Sequence, residues 1–207
     1  MKLRALLTWM IFCIALPVCA DPIYRAGQTS SSWTSLLHGE VSVDYTFSSL
    51  KLEDYLEEYS SDRLHGFGGR ALWTPLPWLG AGIEGTLFGK TDLQEAMVNS
   101  YKASRVGAVV KLTLTPDTNP RFYLLVGLGR TTHELNFRRW IGNSWPTVKK
   151  SIPYWALGLG VETTIWKNFF MGVEGNILWN QSTQLWRYHK IADHSEISLR
   201  IRGGVRF

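Results

Sequence analysis

The chain has 207 residues, 45% of them hydrophobic and only 19% charged, with 10 Trp, 19 Gly and a formal charge of +5. That is one domain or at most two, with too little charge for a disordered chain and ample apolar side chains for a packed one. Mean hydropathy is −0.07, and beyond residue 20 no apolar run approaches the ~18–20 residues of a membrane helix, which excludes a helical membrane protein.

Residues 1–20 read as an export signal. Lys2 and Arg4 precede a mostly apolar stretch at 5–16, and Pro17-Val18-Cys19-Ala20 leads to a cut after Ala20. Losing Lys2 and Arg4 takes the formal charge from +5 to +3. A lipoprotein modified at Cys19 is disfavoured, because Pro17 and Val18 stand where small residues are expected. Cys13 and Cys19 both lie inside the signal, so the mature chain is expected to lack a disulfide framework, a thiolate metal site and a cysteine nucleophile. Residues 21–36, rich in Ser and Thr, are expected to form a short N-terminal periplasmic segment or a plug at the base of a barrel.

From about residue 39 the pattern has period two, and eight strands succeed one another. The first, 40–48, sets Val41, Val43, Tyr45 and Phe47 against Ser42, Asp44 and Thr46; the second, 64–73, sets Phe67, Ala71 and Trp73 against Gly66, Gly68 and Arg70. The third, 78–88, opposes Leu79, Ile83 and Leu87 to Glu84 and Thr86, and the fourth, 105–114, opposes Val106, Val110 and Leu112 to Arg105 and Lys111. In the fifth, 122–133, Leu124, Val126 and Leu128 face away from Tyr123, Gly127 and Gly129. The sixth, 154–164, has Trp155, Leu157 and Leu159 opposite Gly158, Gly160 and Glu162, and the seventh, 169–179, has Met171, Val173 and Ile177 opposite Glu174 and Asn176. The eighth, 196–207, sets Ile197, Leu199 and Ile201 against Arg200, Arg202 and Arg206. Each run is close to the ~9–11 residues of a tilted strand crossing a bilayer.

The connections alternate. Long segments at 49–63, 89–104, 136–151 and 180–195 take turns with tight ones at 74–77, 115–120 and 166–168, as short periplasmic turns and longer external loops do. The charges Asp44, Arg70, Glu84, Arg105, Lys111, Glu162, Glu174, Arg200 and Arg202 all fall on the face opposite the aliphatic one. A charge facing lipid near the midplane costs about 2–4 kcal/mol, so that face should carry none. A soluble sheet would alternate too, but it would rarely place so many glycines on its polar face. Aromatics gather at both strand ends, with Trp73, Trp78, Phe122, Trp166, Phe169 and Phe207 on the turn side. Tyr45, Phe47, Phe88, Phe137, Trp155 and Trp179 lie on the loop side, so the two groups form the expected interfacial girdles. The expected fold class is all-β, an eight-stranded antiparallel transmembrane up-and-down β-barrel over 37–207.

Val126-Gly127-Leu128-Gly129, the run Pro153-Tyr154-Trp155-Ala156-Leu157-Gly158-Leu159-Gly160-Val161-Glu162 and Met171-Gly172-Val173-Glu174 carry a glycine and aromatic spacing. In this they resemble the small, porin-like eight-stranded outer-membrane β-barrel proteins of the OmpA/OmpX/opacity type. The resemblance implies a place in the bacterial outer membrane, with outer-membrane lipid and lipopolysaccharide around the barrel. The end at Arg206-Phe207 resembles the signal which that family presents to the barrel assembly machinery, making Phe207 the assembly residue. No peptidoglycan-binding domain follows the last strand, unlike full-length OmpA, so no cell-wall anchor is expected.

Three functions compete. The nine inward charges are either a selective constriction or a salt-bridged interior that closes a narrow barrel, and eight strands leave little room beyond side chains. The second reading is preferred; the first leaves a narrow channel for small or hydrophobic solutes, as in OmpW-like relatives. A lipid A-modifying enzyme would present a His and a Ser two residues apart on one strand face, and none of His38, His65, His133, His189 and His194 has Ser at that spacing. His194 and Ser195 are adjacent and would point to opposite faces. No catalytic residue, metal ligand or cofactor is therefore expected; His189 and His194, five apart in a loop, are read as solvated surface.

The loops carry the remaining signal. Around 51–63 the chain is acidic, whereas Arg138, Arg139, Trp140, Trp145, Lys149 and Lys150, and then Trp186, Arg187 and Tyr188, interleave cations with aromatics. Such clusters suit lipopolysaccharide phosphates, sulfated host glycans or acidic host proteins, or serve as a collar against the protein's own lipid. Nucleic acid is not an expected partner, because the basic residues form no helical stripe or arm and the chain is exported. The leading expectation is a non-enzymatic barrel whose surface loops mediate adhesion or an envelope contact.

Overall fold

The computed structural model describes residues 38–50, 52–53, 62–92, 98–137, 147–180, 183–186, 189–191 and 195–207. The expected signal and the segment at 21–36 lie outside these. Eight long strands dominate: β1 (Gly39–Leu50), β2 (Asp62–Leu76), β3 (Leu79–Phe88) and β4 (Val98–Thr113). They continue as β5 (Arg121–Phe137), β6 (Val148–Trp166), β7 (Phe169–Asn180) and β8 (Ser195–Arg206). Each pairs antiparallel with its chain neighbours, and β1 pairs with β8 from Glu40↔Arg206 to Ser48↔Ser198. That last pairing closes the sheet into a barrel and leaves no long open edge.

Amphipathicity is inverted relative to a water-soluble barrel. Val43, Phe67, Ile83, Leu87, Val106, Leu128, Trp155 and Ile197 are exposed on the outside, while the inside holds carboxylates, guanidinium groups and hydroxyls. A continuous apolar belt of this kind is stable only against hydrocarbon, where the closed hydrogen-bond ladder leaves no backbone group unsatisfied. The apolar side chains of the interior include two clusters, Leu72 with Val109 and Leu125, and Tyr154 with Ala156 and Leu178, and beside them Leu64, Phe88 and Phe170.

Two tyrosines fill much of the interior, and glycines make room for them. A side chain at Gly160 would run into the Tyr123 ring, and one at Gly107 would meet the Tyr154 hydroxyl. This accounts for glycines on the polar face better than any conformational need does. The turns are short at one end of the barrel. Between β6 and β7 only Lys167 and Asn168 intervene, with Lys167 in the left-handed region at φ 44°. Pro75 falls in the irregular stretch between Trp73 and Leu76, where the ladder makes no demand on its missing N–H.

The strands differ from the expected runs chiefly in length. β4 begins at Val98 rather than 105, and β5 and β6 run to Phe137 and from Val148. Parts of the segments expected as loops at 89–104 and 136–151 are thus paired strand. The reason is visible outside: above Leu128 the outward side chains become Arg130, Thr132 and Glu134, so hydrophobic alternation stops where the lipid stops while pairing continues. Phe88 is a second correction. It is buried inside rather than in the upper girdle, because it shares parity with Glu84 and Thr86. Two of the loop segments also pair: Leu52–Glu53 joins His189–Ile191, which joins Thr183–Trp186.

Candidate functional site: the charged lumen

Alternation along β1 brings Glu40, Ser42, Asp44, Thr46 and Ser48 into the lumen. The other strands contribute on the same principle, giving three tiers along the barrel axis. At the turn end Lys111 Nζ donates to Glu40 Oε2 at 2.8 Å and to both Glu162 oxygens at 2.8 Å. Arg202 also reaches Glu40, and Arg206 closes the tier against Glu162.

Glu174 is the centre of the middle tier. It accepts from Arg70 at 2.7 and 2.8 Å, from the Tyr123 hydroxyl at 2.9 Å, from Asn176 at 2.9 Å and from Arg202 at 3.3 Å. Glu84 beside it accepts from Arg70 at 2.8 Å, from Arg200 and from the Tyr154 hydroxyl at 3.4 Å. At the loop end Glu196 takes Arg105 at 2.9 and 3.0 Å, Asn180 at 3.3 Å and the Ser48 hydroxyl. The Arg105 guanidinium lies 5.2 Å from the ring centroids of both Phe88 and Tyr154. Above it the Tyr101 hydroxyl meets His133 Nδ1.

All nine charges singled out from the sequence point into this lumen. Eight of them make ion pairs there, and Asp44 accepts a hydrogen bond from Thr46 Oγ1 at 2.8 Å. Glu40, Glu196 and Arg206 belong to the same network and were not singled out. Parity would have found the two acids, since Glu40 lies two residues from Ser42 and Glu196 four from Arg200. The inward carboxylates Glu40, Asp44, Glu84, Glu162, Glu174 and Glu196 are matched in number by Arg70, Arg105, Lys111, Arg200, Arg202 and Arg206, so these described charges balance. Buried charges persist when paired or hydrogen-bonded: eleven of these twelve are ion-paired, and Asp44 is held by the Thr46 hydroxyl.

The loop candidates separate differently. Arg138, Arg139, Trp140, Trp145, Arg187 and Tyr188 lie outside the described residues, Lys149 and Lys150 are exposed at the start of β6, and Trp186 ends the Thr183–Trp186 strand in register with His189. Phe207 is exposed at the turn end, its backbone N–H and carbonyl both bonded to Gly39. Among the described residues no group of three His, Cys, Asp or Glu is placed to hold a metal.

A closed eight-stranded barrel with an apolar outside and a polar, ion-paired inside defines a small outer-membrane β-barrel protein. Solved structures agree with that class. Neisserial surface protein A superposes with a TM-score of 0.60 at 14% identity, covering 82% of this chain and 97% of that one. Ail, the attachment invasion locus protein of Yersinia pestis, gives 0.52 at 16% identity over 82% of this chain and 98% of its own. No protein-family model matches the sequence, and no curated protein matches it either. At these identities the likeness shows the fold, and with the apolar belt it seats the chain in the bacterial outer membrane.

Proposed function

We propose that this protein is a non-enzymatic outer-membrane barrel with a closed interior, whose external loops bind an anionic partner at the cell surface. The observation that supports this reading is the tiered lumen, in which Glu174, Glu84 and Glu196 and their partners are bonded to one another across the interior. With the interior occupied by its own ion pairs, the loop end is left to interact. Arg138, Arg139, Trp140 and Trp145 supply the cation–aromatic chemistry that recognises sulfate or phosphate groups on host glycans, acidic proteins or envelope components. Phe207 serves in this reading as the signal to the assembly machinery.

Sucrose octasulfate, a heparin analogue held by Ail in one of the structures of that protein, is a suitable polysulfated probe. Exchanging Arg138 and Arg139 for Ser is expected to weaken its binding to whole cells about tenfold or more while leaving heat-modifiable folding intact. Undiminished binding by the folded variant would remove the loops from the function.

A further inference from the structure

Directly above the apolar belt the outer surface gathers three cations on one side. On β4 the outward positions beyond Val106 are Ser104 and Lys102; on β5 those beyond Leu128 are Arg130, Thr132 and Glu134; on β6 those beyond Trp155 are Pro153, Ser151 and Lys149. Lys102, Arg130 and Lys149 are all exposed. Glu134 stands in register between Lys102 and Lys149, and Arg130 stands between Val106 and Pro153, which carry no charge. Across the barrel the outward side chains at this height are Trp179, Ile197, Phe47, Ser49 and, on β2, His65 and Arg63, so Lys102, Arg130 and Lys149 cluster on β4–β6 while Arg63 stands on β2.

We propose that the outward face of β4–β6 is a docking site for one phosphorylated glycolipid headgroup of the outer leaflet. It is a strand surface, and it stands apart from the loop reading above. The belt residues Val106, Leu128 and Leu157 continue beneath it without a break, so acyl chains and headgroup of a single molecule are served by one surface. Arg130 lies at the height where the hydrocarbon ends, and its fork suits a phosphate oxygen pair. Lys102 and Lys149, further up, suit a second anionic group on the sugar. The Thr132 and Ser151 hydroxyls, 3.5 Å apart, offer hydrogen bonds to sugar oxygens. Trp155, stacked on Trp179 with ring centroids 3.9 Å apart, offers a flat face at the junction. Continuity of belt and cations favours a lipid over a soluble glycan, which would have no use for the apolar part.

The test is native mass spectrometry of the protein purified from outer membranes, titrated with diphosphorylated lipid A and with its dephosphorylated form. The wild type is expected to prefer the phosphorylated form. Each cation near an anionic lipid surface changes binding about fivefold, so the triple variant K102S/R130S/K149S should lose about a hundredfold and with it the preference. Arg63→Ser, on β2, should leave the preference intact, and R130K should keep most of it. Should the triple variant fail to fold, Arg130→Ser alone is expected to lose about fivefold. Retention of the preference by the folded variant, or an equal loss in Arg63→Ser, would overturn the site. Equally tight binding of sucrose octasulfate at the same residues would overturn the lipid assignment in favour of a soluble glycan.

Discussion

Glu174 accepts hydrogen bonds from four side chains on β2, β5, β7 and β8, and none of its surface reaches solvent. Removing its charge leaves Arg70 and Arg202 short of a counter-charge inside a narrow barrel. Glu174→Gln is therefore expected to destabilise the fold by about 3–5 kcal/mol, read as the urea midpoint of the micelle-refolded barrel. A loss below about 1 kcal/mol, the worth of an exposed pair, would mean the lumen is hydrated rather than closed. That Glu174 points inward was legible from its place among Met171, Val173 and Ile177. Which cation it meets was not. Arg70 lies 104 residues away, and strand-to-strand register round a barrel leaves no trace in local spacing. Tyr123 and Tyr154 were harder still, because alternation gives a face but says nothing of a hydroxyl reaching a carboxylate.

The eight strands were readable because lipid enforces a strict code on their outward positions. Their upper ends were not, because above Leu128 and Val106 that code lapses and only backbone pairing continues. The lower ends show the opposite economy, with short turns held by few contacts. Asn119, in the turn between β4 and β5, binds the base of β6 three times. It donates to Thr164 O at 3.1 Å and accepts from the Thr164 N–H at 2.9 Å and from Thr163 Oγ1 at 3.0 Å. Asn119→Ala should cost about 1–3 kcal/mol by stranding the Thr164 N–H. Amide exchange ought to show the loss first at Thr163 and Thr164; a uniform change across the barrel would contradict a local clamp. Nothing in the sequence singles out this asparagine, since its partners sit 44 and 45 residues on.

For the whole molecule the ion-paired tiers lead to an expectation about transport. The refolded barrel, shown to be heat-modifiable, is expected to be electrically silent in planar bilayers. Steady, reproducible openings would instead favour the channel reading, with Glu84, Arg105, Lys111, Glu162 and Arg200 the residues to exchange. The same tiers bear on how the molecule is made. Glu40 waits for Arg202, 162 residues later, and Arg105 waits for Glu196, 91 later. The last strand delivers Arg200, Arg202, Arg206 and Glu196 together. Until it arrives, a partly built sheet presents unneutralised charges along the surface that must become its interior. The closing strand thus brings three cations and one carboxylate to an interior whose other described charges are five carboxylates and three cations.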